Sequence, residues 1–166
     1  MNVTLRPATA ADALRVASVL IDTRTRFMPY APSAHTEDEV REWVASCLVP
    51  TGRVTVAEID GHVMGVMATE VRDEVSWISQ LAVDPALVDR GLGSLLLGRA
   101  VDTLNAPIRL YTFQANVGAR RFYERHGFAA VEFTQGQSNE EHCPDVLYEY
   151  RVLQTAARNG TRAATA

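Results

Sequence analysis

Between residues 53 and 83 three strand-patterned runs, RVTVAEI, HVMGVMATEV and SWISQLAV, follow one another with no helical pattern between them. Asp60-Gly61 separates the first two; a glycine in that place tolerates positive φ and suits a tight hairpin, which predicts antiparallel pairing. Asp84-Pro85 closes the third run, because proline removes a ladder donor. A glycine-bearing turn, DPALVDRGLGS, then leads into the apolar helix-prone run LLLGRAVDTL, and IRLYTFQ reads as the next strand. Hairpin-joined strands followed by strand, helix and strand predict a mixed sheet, antiparallel for most of its width and parallel where the helix intervenes.

The remaining segments extend this plan. Val3 to Arg6 alternates as an edge strand, and Thr9 with Asp12 opens a helix whose Ala13, Ala17, Leu20 and Ile21 share a face. FMPYAPSAH breaks the pattern; Thr36 and Glu39 then form a capping box for a second amphipathic helix that ends near Pro50. Asn116 can cap the helix VGARRFYERH, and Gly127 stops it. AAVEFTQ and DVLYEYRVL alternate as two final strands around a polar loop. The expected fold is a single α/β domain over residues 1–153, with a mostly antiparallel seven-stranded mixed sheet and helices on both faces. Residues 154–166 are small and polar and are expected to form a flexible tail.

A chain of 166 residues suffices for one well-filled core. A net charge of -4 without like-charge runs argues against binding nucleic acid by phosphate neutralisation. The start, MNVTLRPATAADAL, shows no leader pattern, and no stretch of eighteen apolar residues suggests a membrane span, so a cytoplasmic location is the default expectation. Two cysteines and four scattered histidines offer neither a disulfide framework nor metal-ligand spacing, so no metal is expected. Cys47 falls on a helical stripe with Val40, Trp43, Val44 and Leu48 and reads as a core thiol; Cys143 sits beside Pro144 in a polar loop.

The turn before the mid-chain helix carries the chemistry. A strand that ends in glycines and runs into a helix leaves backbone N–H groups without partners, aimed at one spot that favours anions. Gly91 and Gly93 permit close approach of a phosphate, Arg90 adds charge and Ser94 adds a hydroxyl. A dinucleotide fingerprint would need glycine at position 96, where Leu96 stands, and no Gly-Lys-Ser/Thr tripeptide exists for a P-loop.

LAVDPALVDRGLGSLLL resembles the acyl-CoA pyrophosphate segment of the GNAT N-acetyltransferase superfamily, whose pattern is Q/R-x-x-G-x-G/A. NVGARRFYERHGF resembles that family's closing motif, an asparagine followed seven residues later by a tyrosine in a short helix ending at Gly-Phe. The likeness is tight from about Trp77 to Phe128 and covers the rest of the domain in outline. It departs at Val88, which stands where the family has Gln or Arg, and at the acidic Asp89 that follows. That departure removes side-chain help to the diphosphate but leaves backbone donors untouched.

The resemblance implies an acyl-CoA-dependent N-acyltransferase that passes acetyl from acetyl-CoA to a primary amine by direct attack in a ternary complex. By the same resemblance, Leu81, Ala82 and Val83 offer backbone groups to the pantetheine arm and thioester carbonyl. Asp89, Arg90, Gly91, Leu92, Gly93 and Ser94 form the diphosphate loop, Asn116 caps its helix and meets the arm, and Tyr123 is the acid that protonates the departing thiolate. Arg120, Arg121 and Arg125 make a basic helix patch, read either as a 3′-phosphate contact or as a solvated face. No carboxylate lies in YTFQ, so the base is a water chain or a remote acid, with Glu70, Glu140, Glu141 and Asp145 as candidates. The acceptor is a small-molecule or peptide amine; neither nucleic acid nor membrane is expected as a partner, and pairing with a second copy stays open. A silent acyl-CoA-binding domain, or a small regulatory or interaction domain, is the alternative on the same sequence.

Overall fold

A computed structural model describes residues 2–152. The predicted tail therefore lies outside the described residues. Seven strands form one sheet: β1 (Val3–Pro7), β2 (Val54–Ile59), β3 (His62–Arg72), β4 (Val75–Val83), β5 (Ile108–Phe113), β6 (Ala129–Phe133) and β7 (Asp145–Tyr150). Their order is β1-β2-β3-β4-β5-β7-β6, and every neighbouring pair is antiparallel except β4 with β5. The mixed sheet expected from the sequence is the one observed. Asp60 (φ 50°) and Gly61 (φ 80°) make the β2–β3 turn with both residues left-handed, the geometry that matches the twist of paired strands.

Four α-helices flank the sheet: α1 (Ala13–Phe27), α2 (Glu37–Trp43), α3 (Leu92–Thr103) and α4 (Val117–Arg125). Strand alternation divides the interior in two. Val56, Val66 and Ala82 face Val16, Val19, Val44 and Leu48 on the α1–α2 side. Ala57, Met67, Ile78 and Leu110 face Leu92, Leu96, Ala100 and Tyr123 on the α3–α4 side. Thr9, whose amide donates to Asp12 Oδ2, starts the first N-terminal helical segment, and a capping box at Thr36/Glu39 starts the second, as the sequence predicts.

One expectation fails in the second helix. Cys47 is exposed, and Trp43 is 41% exposed, although both lie on the predicted apolar stripe. After Trp43 the backbone passes into a π-helical turn at Val44–Leu48. A wider turn carries more than 3.6 residues, so the buried face moves to Val44, Leu48 and Val49, and position 47 rotates outward.

Candidate functional site

The parallel pair that creates the site is very short. β4 meets β5 only at Ser76 with Ile108 and Trp77 with Arg109. Beyond those residues β4 stays paired to β3 on its other edge, where Leu81, Ala82 and Val83 face Met67, Val66 and Gly65. β5 stays paired to β7 along its whole length. The two strands therefore splay apart, and the edge of β4 from Ile78 to Val83 faces no strand. The carbonyl of Val83 accepts a hydrogen bond from Thr23 Oγ1 at 2.9 Å, which ties α1 over the end of β4.

The loop from Asp84 to Gly91 turns the chain from β4 into α3. Arg15 holds it from α1, with Nη2 at 2.5 Å from Asp84 Oδ2 and Nε at 2.9 Å from the carbonyl of Val63. Asp89 (φ 64°) and Gly91 (φ 86°) both adopt the left-handed conformation, which an aspartate tolerates and glycine adopts without steric cost. No side chain caps α3, and its first intrahelical bond runs from Leu95 N to Gly91 O at 3.0 Å. Among the described residues, the amides of Gly91, Leu92, Gly93 and Ser94 donate to no protein acceptor. They fit an anionic diphosphate by the donor argument made from the sequence. Arg90 is exposed, and its side chain makes no hydrogen bond among the described residues.

α4 lies against this turn. A Cβ added at Gly93 would sit 3.3 Å from Phe122 Cζ, so the absence of a side chain there lets the two helices approach. Phe122 meets Tyr123 edge to face with ring centroids 5.3 Å apart. Tyr123 belongs to the same core cluster as Leu92, and Leu81 and Val83 pack against that cluster. The Tyr123 ring is buried, and its hydroxyl has no hydrogen-bond partner among the described residues. Burial pushes the phenol above its ordinary value.

Asn116 caps α4, its Oδ1 accepting from Ala119 N at 3.1 Å, while its Nδ2 donates to no protein group among the described residues. Arg120 is not part of a solvated patch. It turns inward, with Nε 3.2 Å from Tyr148 Oη and the guanidinium 5.5 Å from the Phe133 ring, so only Arg121 and Arg125 remain exposed on that face.

On the α1–α2 side, the open edge of β4 borders a cavity of about 720 Å³. Leu20, Ile21, Val40 and Leu81 give it apolar walls, and Arg24, Gln80, Glu140 and Glu141 give it polar ones. Among the proposed bases, Glu140 and Glu141 line this space. Glu70 pairs with Trp77 at the closed end of the splay and bridges to Arg72 at 3.2 Å. Asp145 is buried, with its oxygens taken by the hydroxyl of Thr134 and by Asn139 Nδ2 at 2.9 Å. Two features escaped the sequence reading. Arg24 reaches Glu141 across 117 residues of chain, and His126 reaches Ser94 across 32; no spacing rule joins such pairs before the fold does.

The profile of the Acetyltransferase (GNAT) family matches residues 20–128. A stretch of 77 residues is 39% identical to mycothiol acetyltransferase of Beutenbergia cavernae, covering 43% of this chain and only 26% of that protein's length. In shape the chain is similar to the PaiA N-acetyltransferase of Thermoplasma acidophilum solved in complex with coenzyme A, with a TM-score of 0.73 at 17% identity over 91% of this chain and 99% of that one. It is also similar to the ribosomal-protein-S18-alanine N-acetyltransferase of Escherichia coli, with a TM-score of 0.71 at 16% identity over 95% and 98% of the two chains. No helix among the described residues is long and apolar enough to cross a membrane. With the profile spanning both the splayed strands and the asparagine–tyrosine helix, the chain belongs to the GNAT acetyltransferase family.

Proposed function

We propose that the chain transfers acetyl from acetyl-CoA to a primary amine by direct attack. The observation that carries this reading is the splay of β4 from β5, with α3 amides at one end and the hydroxyl of Tyr123 beside the same core, both without hydrogen-bond partners among the described residues. The amides of Gly91 to Ser94 would hold the diphosphate, which needs no particular side chain and so tolerates Val88 and Asp89. The free edge of β4 at Leu81 to Val83 would pair with the pantetheine arm as an added strand does, and Asn116 Nδ2 would reach it from α4. Acetyl-CoA supplies an activated acyl group on a thiol leaving group. Tyr123, neutral because burial disfavours its phenolate, would donate the proton that the leaving sulfur requires. The cavity beside Leu81 would admit the amine.

Calorimetry with acetyl-CoA, followed by free-thiol detection over an amine panel, tests the proposal. Saturable binding together with amine-dependent thiol release is expected. Absence of binding at millimolar acetyl-CoA overturns the reading, and binding without thiol release reduces the chain to a silent acyl-CoA-binding domain.

A further inference from the structure

Building on that acetyltransferase reading, we propose that Glu141 is the group that receives the acceptor's ammonium and takes its proton. The four carboxylates left open by the sequence are separated by the fold. Glu70 lies where β4 and β5 are still joined, away from the splay, and Asp145 spends both oxygens on Thr134 and Asn139 of the loop that precedes it. Glu140 bridges to His35 at 2.8 Å with both side chains more than half exposed, at the rim of the cavity. Glu141 is different. Its side chain is 15% exposed, it lines the cavity that also contains Leu81 and Gln80, and its two oxygens have separate fates.

Oε1 accepts from Arg24 Nη2 at 2.6 Å, while Oε2 has no hydrogen-bond partner among the described residues and is not sealed from solvent. Arg24 is held in its turn, with Nη2 also 3.0 Å from the carbonyl of Ala31 and the guanidinium 6.0 Å from the Phe113 ring. Arg24 is thus a positioning residue: it fixes one oxygen and leaves the other presented to the cavity. A carboxylate pinned by one oxygen loses little further freedom when the second accepts a ligand proton. The charged and titratable groups that share the cavity are Arg24 from α1, His35 from the α1–α2 loop, Glu37 and Glu39 from α2, and Glu140 beside Glu141. Carboxylates outnumber cations among them, so a cationic amine is favoured over an anionic one.

The protons balance as follows. The amine enters as an ammonium and gives one proton to Glu141 Oε2, helped by apolar walls that disfavour the charged form. Its lone pair forms the carbon–nitrogen bond as the carbon–sulfur bond breaks, and the thiolate takes the Tyr123 proton. The second proton lost by the nitrogen restores Tyr123, and Glu141 returns its own to solvent. One ammonium and one thioester become one amide, one thiol and one released proton.

The test uses the full chain with acetyl-CoA and a panel of ethylamine, phenethylamine, spermidine and an alanine-led tripeptide, following the amine that turns over fastest. Glu141→Gln should lower kcat/KM for the amine about 10²-fold, with both kcat and amine KM affected, and should abolish the acid limb of the kcat/KM profile. Glu141→Asp should restore the limb with partial rate, and acetyl-CoA affinity by calorimetry should stay within about twofold in both. Arg24→Gln should raise amine KM, whereas Glu70→Gln should match the wild type. An acid limb retained in Glu141→Gln, at wild-type kcat/KM, overturns the assignment while leaving the acetyltransferase reading intact. A wild-type chain that binds no acetyl-CoA, or binds it without any turnover, removes both.

Discussion

His126 Nε2 lies 3.0 Å from Ser94 Oγ, joining the end of α4 to the first turn of α3. The other ring nitrogen settles the direction of this bond. Nδ1 is 2.7 Å from the carbonyl of Phe122, and a carbonyl only accepts, so Nδ1 carries the proton. In the neutral ring Nε2 then accepts from the Ser94 hydroxyl. A net hydrogen bond is worth about 1 kcal/mol, and less where water competes, as at this exposed pair. A double-mutant cycle of His126→Ala with Ser94→Ala, read by chemical unfolding, should therefore give a coupling of about 0.5–1 kcal/mol. Coupling indistinguishable from zero would mean that the two helices are not joined this way.

Gly136 governs the loop that carries Glu140 and Glu141. Its φ is +80°, and a Cβ placed on it would stand 2.4 Å from both the carbonyl carbon and oxygen of Cys143. Asn139 draws the loop into that tight path, its side chain bonding the Cys143 carbonyl at 2.8 Å and the Cys143 amide at 3.1 Å. The obstacle is backbone, which cannot swing aside as a side-chain tip can. Gly136→Ala should displace the loop, raising amine KM roughly tenfold while leaving acetyl-CoA affinity unchanged, because among the described residues no hydrogen bond joins residues 134–144 to α3 or β4. A parallel loss of acetyl-CoA affinity would contradict that division of labour.

These two cases mark where sequence reasoning stops. The strands, the Asp60-Gly61 hairpin, the helix start at Thr9, the Thr36/Glu39 capping box and the glycine turn before α3 were legible because each depends on residues within a few positions of one another. Cys47 was misplaced because a π turn adds a fraction of a residue to the helical period, and nothing in VASCL announces it. Arg120 reads from the sequence as part of a basic helix patch, either a 3′-phosphate contact or a solvated face, but Tyr148 and Phe133, on the two last strands, draw it in. The cavity is assembled from α1, α2, β4 and the β6–β7 loop, so its polar wall exists only once the chain is folded.

Tyr123 offers a separation of structure from chemistry. Its ring packs within 6.1 Å of the Phe122, Phe128 and Tyr148 ring centroids, whereas its hydroxyl bonds to nothing among the described residues. Tyr123→Phe should keep the packing and change unfolding free energy by less than about 1 kcal/mol at pH 7, while kcat falls about 10²-fold. Burial raises the phenol above its ordinary value near 10, so the neutral form gives the fold stability that is present below about pH 10 and is lost as pH rises through the folded value. The same shift predicts no alkaline limb from this group in wild-type kcat up to about pH 9.5. Wild-type turnover in Tyr123→Phe would remove the residue from the acid role.

Glu149 sets a limit on stability toward acid. Its side chain is only 3% exposed, on β7 opposite Arg109 of β5, whose Nε lies 2.6 Å from Oε2; Arg151 Nε bonds Oε1. Burial alone would push the carboxyl up, but the hydrogen bonds from Arg151 and Arg109, with their charges, outweigh it and hold the group below its ordinary value. A carboxyl depressed in the fold contributes stability that is present above its unfolded value near 4.3 and is lost as pH falls through the folded one. Both arginines keep solvent contact, so the contribution is about 1 kcal/mol rather than the several expected of a fully buried pair. Glu149→Gln should accordingly be about 1 kcal/mol less stable than wild type at pH 7, with the gap closing as pH is lowered from about 4.5 toward 3. Urea unfolding across that range measures it, and a gap that stays constant from pH 7 to pH 3 would show that the variant's loss comes from packing and not from the carboxylate charge.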